Sequence, residues 1–298
     1  MPSVVSASNM NYRIFTDATA DLPAIWPEYL QEVTVIPMAV NLDGEDYLYG
    51  PGGNLTVKEF YARQRQGKFA STSQINPDSY FGAFTPVLDQ GMDILYLCFS
   101  SGLSGTCQNA MMAAQELRQQ YPERRLLVVD TLCASVGQCL LTMEAAQKQA
   151  AGYSLEQLFA WVTSHRMQVC HWFTVDTFEH LQHGGRVSAA SAAMGTMLNI
   201  KPMLHVDDDG KLAVALKPRG RKKAIAAQLA KMEQGWNPTV SKRVIVGHGD
   251  DPEAADALRT ELLGHFPDAQ IVISEIGPVI GSHTGPGMLA LIYWGDNR

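Results

Sequence analysis

Residues 94–106 read Ile-Leu-Tyr-Leu-Cys-Phe-Ser-Ser-Gly-Leu-Ser-Gly-Thr, and this stretch decides the fold. Its apolar half, residues 94–99, predicts a strand that is buried on both faces, as in a parallel sheet. Small and apolar residues at steps of three and four follow from Ala110 to Leu117 and predict a helix. The hydroxyl groups and glycines between them therefore lie where open α/β sheets bind ligands.

Strand and helix patterns alternate outward from this stretch. Further strands are predicted at residues 12–17, 33–41 and 126–130, and helices after Thr56 and at about residues 134–151. This alternation predicts a parallel sheet that is covered by helices on both faces. Residues 43–54 are rich in Gly, Asp and Tyr and contain a proline, so they are predicted to form a loop.

A second series of elements begins near Tyr153. Residues 204–217 predict a β-hairpin, because an Asp-Asp-Asp-Gly turn separates two apolar stretches. Helix and strand patterns then continue to an apolar closing strand at residues 288–294. We therefore expect two domains, an N-terminal one at residues 1–160 and a C-terminal one at residues 161–298.

The composition of the 298-residue chain excludes several classes of protein. It is 46% hydrophobic and 18% charged, which is enough apolar material for a sizeable core. The 30 acidic and 23 basic residues leave a formal charge of −7, and general nucleic-acid binding requires the opposite balance. No apolar run is long enough to span a bilayer, and residues 1–11 lack the features of a secretory signal. A cytoplasmic location is expected.

The five cysteines are scattered along the chain and form no C-x-x-C pair. Their odd number and spacing predict reduced, mainly structural thiols and argue against a zinc site. We expect no metal, no cofactor and no catalytic residue. The cysteines are Cys98, Cys107, Cys133, Cys139 and Cys170.

Three segments are candidates for a ligand site. Residues 100–106 offer amide groups and a helix dipole to an anion, although a simple helix N-cap at Ser104 explains them equally well. Residues 71–74 form a second hydroxyl cluster, which taken alone is typical of an ordinary polar loop. Residues 277–287 hold His283 between glycines and prolines, and this constrained backbone favours a functional site.

A run of basic residues is the fourth feature of interest. Residues 211–223 contain no acidic residue. Such a run is usually a solvated face, but in an acidic chain it can also attract a partner or a phosphate group. Its members are Lys211, Lys217, Arg219, Arg221, Lys222 and Lys223.

Six short motifs extend over most of the chain. They are Asp-Ala-Thr-Ala-Asp-Leu-Pro at 17–23, Thr-Ser-Gln at 72–74, the segment 100–106, Gly-Gly-Arg-Val-Ser at 184–188, Lys-Pro at 201–202 and Ile-Gly-Ser-His-Thr-Gly-Pro-Gly at 280–287. Each motif is weak alone, but their order and approximate spacing resemble the DegV family. The resemblance extends from about Tyr12 to Trp294.

The resemblance implies a two-domain α/β fold. The N-terminal domain would be a parallel-sheet α/β/α unit, the C-terminal α/β domain would contain a mixed sheet, and one long-chain fatty acid, such as palmitate or stearate, would lie between them. It also implies a lipid-binding carrier that is not itself an enzyme. In bacteria that have a fatty-acid kinase, such a carrier presents the acid to the kinase for acyl-phosphate formation.

The resemblance further implies a role for each matched residue. The residues that hold the fatty-acid carboxylate would be Thr72, Ser73, Ser104 and His283. The nearby or supporting residues would be Ser101, Gly105, Thr106 and Gly281. The residues that serve phosphate transfer or kinase docking would be Arg186 and Arg219.

Two enzymatic alternatives remain open at the level of sequence. An α/β transferase or hydrolase of a phosphorylated metabolite would use residues 100–106 to bind phosphate, but no carboxylate or metal-ligand cluster is recognisable near them. A serine hydrolase would use Ser104 and His283, but the sequence shows no recognisable acid to orient the histidine.

Overall fold

The computed structural model describes residues 11–24, 28–187 and 199–298, so Ser188 of the fourth motif lies outside the described residues. The strands are β1 Tyr12–Asp17, β2 Thr34–Ile36, β3 Met38–Leu42, β4 Glu45–Tyr49, β5 Ala70–Thr72, β6 Asp93–Cys98, β7 Leu126–Asp130, β8 Val169–Thr174, β9 Met203–Val206, β10 Leu212–Leu216, β11 Arg243–His248, β12 Gln270–Glu275 and β13 Leu289–Trp294. The α-helices are α1 Val57–Arg65, α2 Pro77–Asp89, α3 Thr106–Gln120, α4 Val136–Ala150, α5 Leu155–His165, α6 Glu179–His183, α7 Arg221–Gly235, α8 Pro252–His265 and α9 Pro278–Thr284.

The first sheet is parallel and has the order β2–β1–β6–β7. Alternate residues of β6 enter opposite cores, because Leu95 and Leu97 pack with α4 and α5 whereas Ile94 and Tyr96 pack with α2 and α3. The predicted parallel sheet with helices on both faces is therefore confirmed. The loop of residues 99–105 leaves β6 at the carboxyl edge of this sheet.

The second sheet is mixed and has the order β10–β9–β8–β13–β11–β12. Its neighbouring strands are antiparallel except for the parallel pair β11 and β12. The predicted hairpin at residues 204–217 is confirmed as β9 and β10. The C-terminal mixed sheet that the family resemblance implies is therefore present.

A third, antiparallel sheet with the order β4–β3–β5 corrects two predictions. The single strand predicted at residues 33–41 is wrong, because β2 joins the first sheet and β3 the third. Pro37 separates them, and a proline has no N–H for a strand ladder. The loop predicted at residues 43–54 is wrong for residues 45–49, where β4 pairs with β3, and residues 50–54 follow as irregular structure and turns.

Helix α4 lies between the two large sheets. It contacts β6 of the first sheet and β8, β11 and β13 of the second. Twelve of its 15 residues are buried, which is typical of a helix that is enclosed on all sides. Residue 160 lies within α5, which packs against β6 and β7, so a boundary between residues 160 and 161 stays a prediction.

No helix in the described part of the chain is long and apolar enough to cross a membrane.

Candidate functional site

A cavity of about 290 Å³ lies between the first and second sheets. Its volume is close to the lower end of the range for small-molecule sites, roughly 300–1,000 Å³. Its lining comes from five N-terminal segments, from Arg186, from α9 and from strands of the second sheet. The apolar part of the lining includes Met38, Phe99, Leu103, Val136, Phe173, Val206, Leu212, Val279, Ile280, Met288, Ala290 and Ile292.

One end of this cavity is polar. Five of the residues that the sequence predicted for the site line it: Thr72, Ser73, Ser104, Gly105 and His283. They come from three separate places, namely the end of β5 with the residue after it, the loop after β6 and the last turn of α9. Arg186, predicted for phosphate transfer or docking, also lines the cavity. The fold therefore brings together residues that are more than 200 positions apart in the chain.

Thr72 and His283 are in direct contact. Thr72 Oγ1 lies 2.8 Å from His283 Nε2. The other ring nitrogen, Nδ1, is buried and has no hydrogen-bond partner among the described residues. When the single N–H of the neutral ring is on Nε2, it donates to Thr72 Oγ1 and leaves the threonine hydroxyl proton free for a ligand.

His283 is neutral in ordinary solution conditions. Burial is the main cause that lowers the pKa of its imidazole to about 4, and the cationic Arg186 and the neighbouring His183 and His180 contribute to this shift. His283 is therefore an uncharged imidazole at pH 7. Among the described residues no carboxylate bonds to Nδ1, so this part of the chain provides no orienting acid of the kind that a catalytic triad requires.

Ser104 is supported in a similar way by the start of α3. Thr106 N–H donates to Ser104 Oγ at 3.2 Å, and the two hydroxyl oxygens are 2.9 Å apart. Thr106 Oγ1 in turn accepts the main-chain N–H of Ile75 at 3.3 Å. When Thr106 donates its proton to Ser104, the Ser104 hydroxyl is free to donate into the cavity.

Arg186 joins the turn after α6 to the loop after β6. Its guanidinium donates to the main-chain oxygens of Leu103, at 3.4 Å, and of Gly184. Gly184 also lies against the imidazole of His283, since a Cβ atom on this glycine would be 2.0 Å from Nδ1. No residue pattern indicates this close approach, which is visible only in three dimensions.

The rest of the cavity is less polar than its residue types suggest. Thr19, Ser135 and His171 line it, but their polar atoms are bonded within the protein. Thr19 Oγ1 bonds to Asp17, Ser135 Oγ lies 2.6 Å from Asp21, and both nitrogens of His171 bond to main-chain groups. Burial lowers the pKa of His171 well below its ordinary value, so this ring is also uncharged.

Four of the predicted site residues lie outside the cavity lining. Ser101 is exposed, and its main-chain N–H donates to Asp130 at 3.1 Å. Thr106 is buried behind Ser104. Gly281 faces α1, because a Cβ atom there would be 2.7 Å from both Phe60 and Tyr61. Arg219 is exposed and its neighbour Gly220 precedes α7.

Members of the basic run bond to acidic residues of the chain itself. Arg221 forms ion pairs with Asp176, at 3.4 Å, and with Asp251, at 3.0 Å. Lys211 lies 3.5 Å from Asp209 on the hairpin turn. Arg221 is therefore bound to acidic side chains of the chain itself and is less available to a partner than the sequence suggested.

Metal ligation finds no support in the described ranges, where no group of three or more His, Cys, Asp or Glu side chains converges. All five cysteines are free and buried, as expected for reduced structural thiols. Burial raises the pKa of Cys133 to about 11 and that of Cys170 to about 12, so these thiols are protonated and unreactive at neutral pH.

The chain is similar to known proteins over nearly its whole length. A DegV domain-containing protein of Clostridium perfringens is 39% identical over 285 residues, which are 96% of this chain and 98% of that protein. A solved DegV family protein from Thermus thermophilus, described as binding fatty acid, is 33% identical with a TM-score of 0.82, over 96% of this chain and 100% of that one.

A third similar protein is a stearic acid-binding protein from Eubacterium ventriosum. It is 27% identical with a TM-score of 0.82, and the match covers 95% of this chain and 98% of that chain. The sequence model of the DegV family matches residues 11–296. Since the family model, a curated relative and two solved folds all match almost from end to end, this chain belongs to the DegV family.

Proposed function

We propose that the protein is a carrier that binds one long-chain fatty acid, such as palmitate or stearate, in the cavity between its two large sheets. The carboxylate lies at the polar end, beside Thr72, Ser73, Ser104 and His283, and the acyl chain lies along the apolar part. The observation that carries this proposal is a cavity that groups the hydroxyls of Thr72, Ser73 and Ser104 with His283 and whose other lining residues are mostly apolar. The Thermus thermophilus and Eubacterium ventriosum relatives, described as binding fatty acid and stearic acid, support it.

The acyl chain supplies most of the binding energy. Burial of about 15 methylenes at roughly 0.8 kcal/mol each gives on the order of 12 kcal/mol. Lost translational freedom and ordering cost about 4–15 kcal/mol. Each hydrogen bond to the charged head group adds about 1.5–3 kcal/mol, so the hydroxyl groups mainly orient the ligand.

The head-group end suits a carboxylate because its donors are prepared in advance. His283 Nε2 lies 2.8 Å from the Thr72 hydroxyl oxygen, and Thr106 Oγ1 lies 2.9 Å from the Ser104 hydroxyl oxygen. Each supporting group leaves one hydroxyl proton for the ligand. Neutral donors of this kind bind a single negative charge without a metal ion.

We assign Arg186 and Arg219 to the kinase step. A bound acid becomes an acyl phosphate only if a partner enzyme brings a phosphoryl donor to the carboxylate. Arg186 lines the polar end and is placed to meet added negative charge, whereas the exposed Arg219 is suited to docking of a fatty-acid kinase. The protein itself serves as the carrier, in the reducing cytoplasm that its free cysteines suit.

A transferase or hydrolase of a phosphorylated metabolite fits the cavity less well. Among the lining residues that the structure describes, Arg186 has the only permanent charge. A phosphate ester carries about two negative charges and a polar body, and most of this lining offers neither cations nor free donors.

Mass spectrometry of the purified protein under native and denaturing conditions tests the proposal. We expect a co-purified fatty acid in wild type, less of it in Ser104→Ala, and the wild-type amount in the matched control Ser101→Ala, because Ser101 is exposed and outside the cavity. A bound nucleotide or sugar phosphate in place of a fatty acid would overturn the carrier function.

A further inference from the structure

Asp21 is a buried carboxyl group that joins three segments of the chain. Its Oδ1 accepts the Gly277 N–H at 2.8 Å, its Oδ2 lies 2.6 Å from Ser135 Oγ, and its main-chain oxygen accepts the Ser274 hydroxyl at 2.7 Å. Only 3% of Asp21 is exposed. Asp21 and Ser135 have φ values of 47° and 52°, a conformation that is uncommon for residues other than glycine.

The partners of Asp21 lead directly into two walls of the cavity. Ser135 lines the cavity itself and precedes the first residue of α4. Gly277 is the N-cap of α9, which carries the cavity-lining residues Ile280 and His283. Asp21 does not line the cavity, so any effect on a ligand passes through these two helices.

Asp21 has no cation to balance a negative charge. None of the ion pairs formed within residues 11–24, 28–187 and 199–298 includes it. Burial raises the pKa of Asp21 to about 8, against the opposing effect of the hydrogen bonds from Ser135 and Gly277. At neutral pH Asp21 is therefore protonated. Its O–H then donates to Ser135 Oγ while Oδ1 accepts from Gly277, so both oxygens are satisfied.

We propose that Asp21 is a positioning residue, which as an uncharged carboxylic acid holds α9 and the start of α4 in the arrangement that places His283 for the fatty-acid head group. This inference rests on the proposed function, because fatty-acid binding is its main readout.

Ligand binding and protonation of Asp21 are coupled. A bound carboxylate adds a negative charge near α9, and the acyl chain removes water from the side of Ser135. Both effects favour the protonated acid more strongly in the complex than in the free protein. By linkage, fatty-acid affinity falls as the pH rises above the pKa of Asp21 in the free protein, by up to about tenfold per pH unit.

Several other titratable groups face Asp21, and their effects on the pH dependence must be distinguished from that of Asp21. Asp17 of β1 and Glu275 of β12 raise its pKa. Tyr49 of β4, Tyr61 of α1 and Cys139 of α4 respond to the charge of Asp21. Burial raises the pKa of each of these last three groups, so they stay protonated over the range that the experiment uses.

The experiment measures stearate affinity between about pH 6.5 and 9.5 for wild type, Asp21→Asn and Asp21→Ala. The asparagine cannot ionise, but its amide still accepts from Gly277 and donates to Ser135. Asp43→Asn is a matched control, because Asp43 also has a positive φ, 59°, but is exposed on a turn. The ligand carboxyl is ionised throughout this range.

We expect Asp21→Asn to keep the wild-type affinity at pH 6.5 and to lose the alkaline decline, whereas Asp21→Ala binds at least tenfold more weakly at every pH. Asp43→Asn should follow wild type. The inference is wrong if Asp21→Asn declines with pH as wild type does, if it binds as poorly as Asp21→Ala at pH 6.5, or if folded Asp21→Ala binds like wild type.

Thermal unfolding without ligand provides a readout that does not depend on the proposed function. Because the folded pKa of Asp21 lies above the unfolded value of about 4, stability from the protonated form is lost as the pH rises from about 4 to 8. The melting temperature of Asp21→Asn relative to wild type should rise over that range and be constant above it. If the difference in melting temperature between Asp21→Asn and wild type is the same at every pH, Asp21 is not an uncharged acid and the inference is wrong. If this difference rises while wild type binds no stearate, the proposed function fails instead.

Discussion

Gly184→Ala tests whether fatty-acid binding requires His283 to lie within hydrogen-bond distance of Thr72. A Cβ atom at Gly184 would be 2.0 Å from His283 Nδ1, which is 1.4 Å inside the 3.4 Å at which ordinary van der Waals contact begins. The φ of Gly184 is −75°, so alanine brings no backbone strain, and its effect is steric. The ring or the turn after α6 must therefore move by more than 1 Å, on the order of a bond length.

This displacement has a calculable effect on the ligand. The 2.8 Å contact between His283 Nε2 and Thr72 Oγ1 is lost when the ring moves, and the Thr72 hydroxyl is no longer directed at the carboxylate. Loss of one hydrogen bond to a charged group costs about 1.5–3 kcal/mol, so stearate should bind about ten- to a hundredfold more weakly. Overpacking should also lower the free energy of unfolding by about 1–3 kcal/mol.

Titration calorimetry with stearate measures the loss, and Gly185→Ala is the matched control. Gly185 belongs to the same turn, and a Cβ atom there would meet no atom within 4 Å, but its φ is +68°. This control should lose about 1–2 kcal/mol of stability through backbone strain and bind stearate normally. A folded Gly184→Ala protein with wild-type affinity would refute the reasoning, as would an equal loss in both variants. In a His283→Ala background, Gly184→Ala should have little further effect on binding.

Three further predictions concern other parts of the molecule. Ser104→Ala should weaken stearate binding by about 1.5–3 kcal/mol but hardly affect octadecanol, and equal losses in calorimetry would mean that Ser104 only shapes the loop. Arg219→Glu should leave stearate binding unchanged and impair kinase-dependent acyl-phosphate formation. If the folded variant no longer binds stearate, the assignment of Arg219 to kinase docking is wrong. Gly137→Ala should lower the free energy of unfolding in urea by about 1–3 kcal/mol, because its Cβ would be 1.9 Å from His171 Nε2, and an unchanged midpoint would show that α4 can shift.

The elements that the sequence predicted well are those whose burial determines their pattern. Strand β6 is buried along most of its length, so its continuous apolar run was visible in residues 94–99. A helix is predicted after Thr56, and Thr56 Oγ1 accepts the Glu59 N–H at 3.2 Å as the N-cap of α1. Strand β4 was missed because its five residues are exposed or half-buried, and no apolar alternation marks a strand that has little core to face.

The candidate site was predictable only at its polar end. Thr72, Ser104 and His283 belong to short motifs, and motif order alone indicated that they act together. The apolar walls were not predictable, because Phe173 and Ile292 are typical core residues of strands within their own segments. These strand residues line a cavity only because the two sheets lie on opposite sides of it.

Helix α4 has a consequence for how the molecule opens and unfolds. Because it provides core residues to both large sheets, neither half of the chain can be lifted away without exposing an apolar face of this helix to water. A hinge that separates the halves is therefore costly, and a fatty acid must enter by local displacement of segments at the rim. For the same reason the two halves should lose their structure together, in one cooperative transition.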